Sequence, residues 1–423
     1  MHRRRSILQI PLGLALYLRV ALGPRILAED RLEYRQEQYR EENGRIEIRT
    51  QAIGFEKELA ARITAKGLLV YDGISGATPT GEAPPASGAG LPLTRMKDAR
   101  RAISLELGVN HGDQTTTPQL SFSEESDYVS RGLSLTHTID FNQKNTTLVL
   151  GLAHDFDSVR GSSTRDWRRK ETTDGMIGLN QLLGPKTVLS INGTLGLAEG
   201  YLNDPYRLVT FLLPDSPDPI FSDPGAVNPL AEARPSRRFK QTGYVSLTQF
   251  IEPLAASLEA NYRIYHDDWG IWAHTISAEW HQKLGSRLTV TPLVRFYRQS
   301  AADFYGPSFR GVSFDAYASG TRVAFERGVF VAFEGDSEFP APSQQAGYRI
   351  LDVPARPAHF SSDYRLSEFD AWTFGVSARA KIGEHLTLDL AFKRYAMFGR
   401  DAVTPKAAYP SANVVTLGCG LWF

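Results

Sequence analysis

Apolar residues recur at every second position through most of this chain, and that period constrains the fold more than any other feature. In 187–197, Leu189, Ile191, Leu195 and Leu197 fall on one face, with Ser190, Asn192 and Thr194 on the other. In 147–156, Leu148, Leu150, Leu152 and Phe156 oppose Thr147, Gly151 and Asp155. Trp272, Ile276, Ala278 and Trp280 alternate in the same way with Thr275, Ser277, Glu279 and His281. So do Trp372, Phe374, Val376 and Ala378 with Thr373, Ser377, Arg379 and Lys381, and Leu386, Leu388, Leu390 and Phe392 with Thr387, Asp389 and Lys393. A two-residue period belongs to strands whose two faces meet different surroundings. No comparable stretch carries the 3.6-residue period of a helix, so the chain reads as all-β.

The punctuation between these segments is uneven. Asn142 to Asn145, Leu183-Gly184-Pro185, Leu284-Gly285-Ser286 and Ile382-Gly383-Glu384 are tight turns. The stretches 73–98, 199–236 and 300–363 are long and rich in Gly, Pro, Ser and Asp. Short turns alternating with long loops are the pattern of a transmembrane antiparallel β-barrel, with short periplasmic turns and long outer loops. About 16 strands are expected, an even number, beginning near 31, 45, 62, 99, 115, 127, 145, 170, 186, 237, 254, 270, 286, 364, 385 and 412. The first two are the weakest, because Glu33 to Arg40 is mostly charged. Thr321 to Phe333 reads either as a hairpin raised above the barrel or as two further wall strands.

Composition narrows the setting. The chain has 423 residues, with 47 basic and 47 acidic side chains, so no net charge draws it to nucleic acid. A mean hydropathy of −0.27 excludes a bundle of membrane-spanning helices. One cysteine, Cys419, excludes an internal disulfide or thiolate cluster. Arg3, Arg4 and Arg5 precede the apolar run Ile7 to Leu18, the pattern of an export signal over residues 1–28, with 29–423 as the barrel.

The last strand is the most specific segment. Val415, Leu417, Cys419, Leu421 and the terminal Phe423 share one apolar face. A terminal aromatic after alternating apolar residues resembles the signal read by the barrel-assembly machinery of Gram-negative bacteria, with Leu417, Leu421 and Phe423 as its core. The closing strand of a barrel leaves no open edge in lipid and presents an apolar outer face.

Four separated motifs stand in order along the loops: Leu69-Val70-Tyr71-Asp72-Gly73-Ile74-Ser75-Gly76-Ala77-Thr78-Pro79-Thr80-Gly81, Tyr201-Leu202-Asn203-Asp204-Pro205-Tyr206-Arg207, Ala302-Asp303-Phe304-Tyr305 and Ser361-Ser362-Asp363-Tyr364-Arg365-Leu366-Ser367. Through them the chain resembles an uncharacterised bacterial family, the thirty-five-seventy domain of unknown function. The resemblance implies an outer-membrane barrel without an assigned activity. It also implies an envelope redox setting, with small lipoproteins, thioredoxin-like proteins and flavin transferases encoded nearby. About 308–358 reads as an insertion relative to the family.

The inward faces offer a lining of both signs, as an aqueous lumen requires. It comprises Arg49, Lys66, Glu106, Asp140, Asp155, Glu259, Arg263, Glu279, Arg295, Arg379, Lys381, Asp389 and Lys393. From Arg263 onward these are candidates for a constriction. Of the 47 basic residues 36 are Arg, which favours ion-pair ladders and, more weakly, an anionic solute or lipopolysaccharide headgroups. Asp204, Tyr206 and Arg207, and Asp363, Tyr364 and Arg365, place a carboxylate, a phenol and a guanidinium at the margins of long loops. The plainer reading of these is a plug or loop anchor; the sharper is a polar-ligand site. His266-Asp267-Asp268 is a thin candidate for a divalent cation, and a solvated loop is the better reading. His137, His154 and His274 face outward, with Ser130 and Ser134 on the opposite face from His137, so no nucleophile pair is visible within that strand.

The resulting expectation is an outer-membrane β-barrel acting as a pore or channel for small polar solutes. It is not expected to be an enzyme or to need a cofactor or metal. Its partners are outer-membrane lipid and lipopolysaccharide, the assembly machinery and a small lipoprotein, with no nucleic acid. The alternatives are a loop-plugged barrel anchoring an envelope redox or assembly complex, and an outer-membrane hydrolase.

Overall fold

The computed structural model describes residues 30–82, 90–161, 166–212, 227–310, 321–326, 329–334, 349–351 and 357–423. The proposed export signal and most of the 308–358 insertion lie outside the described residues. Sixteen strands close into one antiparallel barrel. They are β1 (Arg31–Glu41), β2 (Glu47–Ala60), β3 (Ile63–Pro79), β4 (Leu93–Asn110), β5 (Gln114–Glu124), β6 (Tyr128–Phe141), β7 (Thr146–Arg160) and β8 (Trp167–Gly184). The round continues with β9 (Thr187–Gly200), β10 (Arg237–Ile251), β11 (Ala256–Asp267), β12 (Trp272–Leu284), β13 (Leu288–Gln299), β14 (Phe369–Ile382), β15 (Leu386–Gly399) and β16 (Ser411–Trp422). β1 pairs with β16 from Arg31↔Trp422 to Glu41↔Ala412, so the wall has no free edge.

The two ends of the barrel differ. At the end holding Asp30 and Phe423, the connections are 61–62, 111–113, 142–145, 185–186, 252–255, 285–287 and 383–385. At the other end they include 80–92, 201–236, 300–368 and 400–410. The expected loop at 73–98 is shorter than the sequence suggests, because β3 and β4 run on as a paired hairpin to Pro79↔Leu93. Its glycines misled: Gly76, at φ +121°, is a strand kink whose missing Cβ lets the backbone pass the Arg45 carbonyl. Thr321–Glu326 and Val329–Glu334 pair in a separate sheet with Arg349–Leu351, so they are not wall strands.

Along most of the wall the outward face is apolar. Leu120, Leu152 and Ile177 lie mid-strand at 65%, 60% and 58% exposure, values that call for a lipid covering rather than water. Leu417 and Leu421 belong to this face, and Phe423 is exposed at the terminus. At the loop end the sides exchange character. Ile46, Ile48, Ile74 and Met96 form a buried cluster inside the mouth, with Tyr39 against it. Arg49 alternates with Ile48 and therefore points outward, where it pairs with Glu47 at 2.8 Å. That corrects its inward assignment: above the lipid belt the dry side is the interior, so the alternation reverses its meaning.

Candidate functional site

Inside the mouth, segments from several connections fold inward and pack on inward-facing wall residues. Tyr364 and Tyr409 cluster with Phe369, Ala371 and Met397, with Tyr297 and Tyr395 against them. Leu366 joins Trp269, Ile271 and Ala302 over Tyr265 and Phe304. Val209, Phe211 and Phe360 make a third cluster with Phe309. Backbone bonds stitch these pieces together: Leu208 N–H to Thr80 O (2.9 Å), Ala302 N–H to Leu366 O (2.8 Å) and Phe360 N–H to Ala233 O (2.8 Å). Together they form a cap with a dry core.

The two loop motifs meet at the centre of that cap. Arg365 Nη2 donates to Asp204 Oδ2 at 2.6 Å and to Asp363 Oδ2 at 2.5 Å. Arg207 Nε lies 3.5 Å from Asp204 and 3.9 Å from Asp363, and its guanidinium donates to Pro79 O and Thr78 Oγ1. Tyr364 lies beneath the guanidiniums of Arg45 (5.8 Å) and Arg207 (5.7 Å). Tyr206 contributes its backbone N–H, which caps Asp204 at 3.0 Å. The sequence reading did not include Glu232 and Arg234. Arg234 binds Glu232 (2.7 Å) and Asp363 (2.9 Å), and Ser361 Oγ donates to Glu232 at 2.6 Å. The alternation Glu232-Ala233-Arg234, just after the short strand Val227–Ala231, was the available signal.

Three buried carboxylates and three guanidiniums thus neutralise one another, with Arg365 keeping a partly exposed side chain (26%). Burial alone would raise Asp363, but Arg365, Arg207 and Arg234 outweigh it and hold its carboxyl well below the usual carboxylate range. Burial raises Glu232, against Arg234, with Asp204 and Asp363 adding to the rise. Asp363 is therefore the fixed anion of the cluster. The arrangement anchors loops; every charge in it has an opposite charge within 4.0 Å.

A second acidic patch lies where β5 turns into β6. Burial pushes Asp127 up to about 8, with Asp98 and Glu125 adding to it and Arg160 opposing. Burial likewise pushes Glu125 up to about 7, against Arg100. One carboxylate oxygen of each is buried without a hydrogen-bond partner.

Below the cap the constriction candidates separate into two kinds. Arg379 Nε donates to Asp389 at 2.5 Å, a half-exposed pair near the turn end, and Lys381 sits two residues closer to that end. Glu279 stands opposite Glu259 and 3.8 Å from His281 Nε2. Arg263, Arg295 and Lys393, by contrast, have no ion pair among the described residues.

The histidine candidates are accounted for by ordinary contacts. His266 stacks on Trp272 at 4.0 Å on the outer face, while Asp267 points inward to Arg238 and Tyr265, so the two do not converge. Asp267 also accepts the backbone N–H groups of Trp269 and Ile271, which makes it a buried turn anchor rather than part of a solvated loop. His137, His154 and His274 bond to Thr116, Thr173 and Tyr262 across neighbouring strands.

The fold is similar to several solved outer-membrane proteins at low identity. The siderophore receptor PirA from Pseudomonas aeruginosa shares 11% identity over 94% of this chain and 81% of its own, with a TM-score of 0.38. A bacterial polysaccharide outer membrane secretin shares 6% over 94% of this chain and all (100%) of its own, at 0.45. OccK2 (OpdF) from Pseudomonas aeruginosa, in complex with glucuronate, shares 9% over 93% and 98%, at 0.39. No curated protein matches the chain. The sequence profile of the family described as "Protein of unknown function (DUF3570)" matches residues 24–406, and the chain belongs to that family.

Proposed function

We propose that the chain is an outer-membrane pore for small polar solutes, closed at its mouth by an inward-folded loop cap. The observation that carries this reading is the contrast between an apolar outer belt and an inner wall of both charges, in a barrel without a free edge. The apolar outer face of β16, carried by Leu417 and Leu421, and its closure on β1 support insertion by the barrel-assembly machinery and a place in the outer membrane of Gram-negative bacteria. The buried charge cluster favours a second reading, a permanently plugged barrel that anchors an envelope redox or assembly complex with a lipoprotein.

Single-channel conductance in a planar bilayer separates the two. The expected result is little or no current from the intact protein and steady steps from the double variant Asp204→Asn/Asp363→Asn, which loosens the cap. Steps from both describe an open pore. Silence from both overturns the pore reading and moves the weight to the anchor, which co-purification with a lipoprotein would then support.

A further inference from the structure

Three ascending strands carry the same inward triplet. Arg263-Ile264-Tyr265 lies on β11, Arg295-Phe296-Tyr297 on β13 and Lys393-Arg394-Tyr395 on β15. In each, a cation and a tyrosine two residues further up share the inward face. The strands between them offer small neutral neighbours: Thr275 opposite Arg263, Ser277 and Thr373 on either side of Arg295, and Gly375 opposite Lys393. At Gly375 a Cβ would stand 2.9 Å from Lys393 Cγ, so the absent side chain is what gives the lysine stem its room.

The tyrosines face upward into the cap. Tyr297 and Tyr395 pack against the Tyr364 cluster and Tyr265 against the Leu366 cluster. Tyr265 and Tyr297 give their hydroxyls to Asp267 and Gln299, both at 2.6 Å. The cations are left just beneath the cap, on one wall, without an ion-paired carboxylate among the described residues. Their neighbours in the same wall are treated differently: Arg238 above has Asp267 at 2.5 Å and Arg379 below has Asp389 at 2.5 Å. The Arg263 guanidinium lies 5.6 Å from the centroid of the Tyr265 ring. An arrangement that gathers like charges and withholds counter-ions fits a ligand that brings its own negative charge, and planar guanidiniums suit carboxylate and phosphate oxygens.

We propose that Arg263, Arg295 and Lys393 form a binding station for small oxyanions, carboxylates or phosphates, directly below the cap. The assignment rests on the pore reading for how the solute arrives, but the binding step is testable apart from it. Succinate and inorganic phosphate are titrated into the folded, detergent-solubilised full chain by calorimetry. The same is done with Arg263→Gln/Arg295→Gln/Lys393→Gln, with the single variant Arg295→Gln, and with Arg379→Gln/Asp389→Asn as control.

Binding by the intact chain, weakened at least about tenfold in the triple variant and unchanged in the control, is expected. Should the triple variant misfold, a loss of several-fold in Arg295→Gln alone carries the same conclusion. The two anions distinguish a carboxylate from a phosphate solute. Reversal potentials in asymmetric salt, on the cap-loosened variant, are expected to show anion preference that the triple substitution abolishes. Conductance without anion preference and without a calorimetric signal would overturn the station and leave the pore intact. Binding without conductance would do the reverse.

Discussion

The cap and the wall just beneath it use the same side chains to opposite ends. In the cap, Arg207, Arg234 and Arg365 are each met by Asp204, Glu232 or Asp363, and all three carboxylates are buried. On the wall, Arg263, Arg295 and Lys393 meet no carboxylate among the described residues. A charge removed from water must be answered inside the protein, because breaking a buried pair leaves the partner's desolvation uncompensated. A charge bordering a water-filled lumen carries no such obligation and stays available. Pairing marks where the chain fastens itself; its absence marks where something else can be met.

The hardest blow to this contrast is Asp363→Ala, which leaves three guanidiniums in the cap with a carboxylate too few. It is expected to cost the cap about 3–5 kcal/mol. Limited proteolysis should then cut within 201–212 and 357–368, while the barrel keeps its heat-modifiable mobility; unchanged protection of both segments would show that the ion pairs do not hold the cap. Tyr364→Ala comes next, at about 3 kcal/mol, through the cavity it leaves among Phe369, Met397 and Tyr409. Its signature is faster hydrogen exchange at 364–369 with little change around Phe211, and a uniform change across the cap would mean that the three clusters act as one.

The pH dependence of the β5–β6 connection is smaller. Asp127 and Glu125 hold protons in the folded mouth at pH values where an open chain has released them, so closing this corner takes up protons. Its stability is greatest below the ordinary carboxylate range, falls as pH rises toward 7 to 8, and levels off above. Exchange at 124–129, corrected for intrinsic rates, should speed up from pH 5 to 8, less so in Asp127→Asn, and lose that trend in Glu125→Gln/Asp127→Asn; a flat profile in the native chain would refute it. Smallest is Arg379→Gln, which breaks a half-exposed lumen pair and should shift stability by less than about 1 kcal/mol. A larger loss in denaturant unfolding would mean that the lower lumen also depends on its pairs.

Where lipid faces one side and water the other, the sequence announces the fold: the alternation around Leu189 to Leu197 and Leu386 to Phe392 needs no tertiary knowledge. The rule fails at the mouth. Ile48 and Arg49 alternate as faultlessly as any pair lower down, yet their sides are exchanged because the cap places an apolar core within the barrel. The charged β1 is a strand for a related reason: its neighbours on both sides, β2 and β16, supply the pairing that its composition does not. Asp204 and Asp363 were legible as motifs, but not their meeting, which spans two loops far apart in sequence. Glu232 and Arg234 sit beyond a proline-rich stretch with no periodicity and became partners only through the fold.

The seam between β1 and β16 carries a clasp at its upper end. Arg45, in the β1–β2 connection, is held by Glu41 at 3.0 Å and donates to the carbonyls of Ala407 and Ala408 in the β15–β16 connection. Of all the pairings in the wall, that of β1 with β16 spans the greatest sequence separation and carries the largest loop-closure entropy. A contact that forms only after that encounter adds nothing to the speed of closing and acts wholly against reopening. The Arg45 clasp, which needs both connections in place, is built to lengthen the life of the closed ring rather than to hasten its birth.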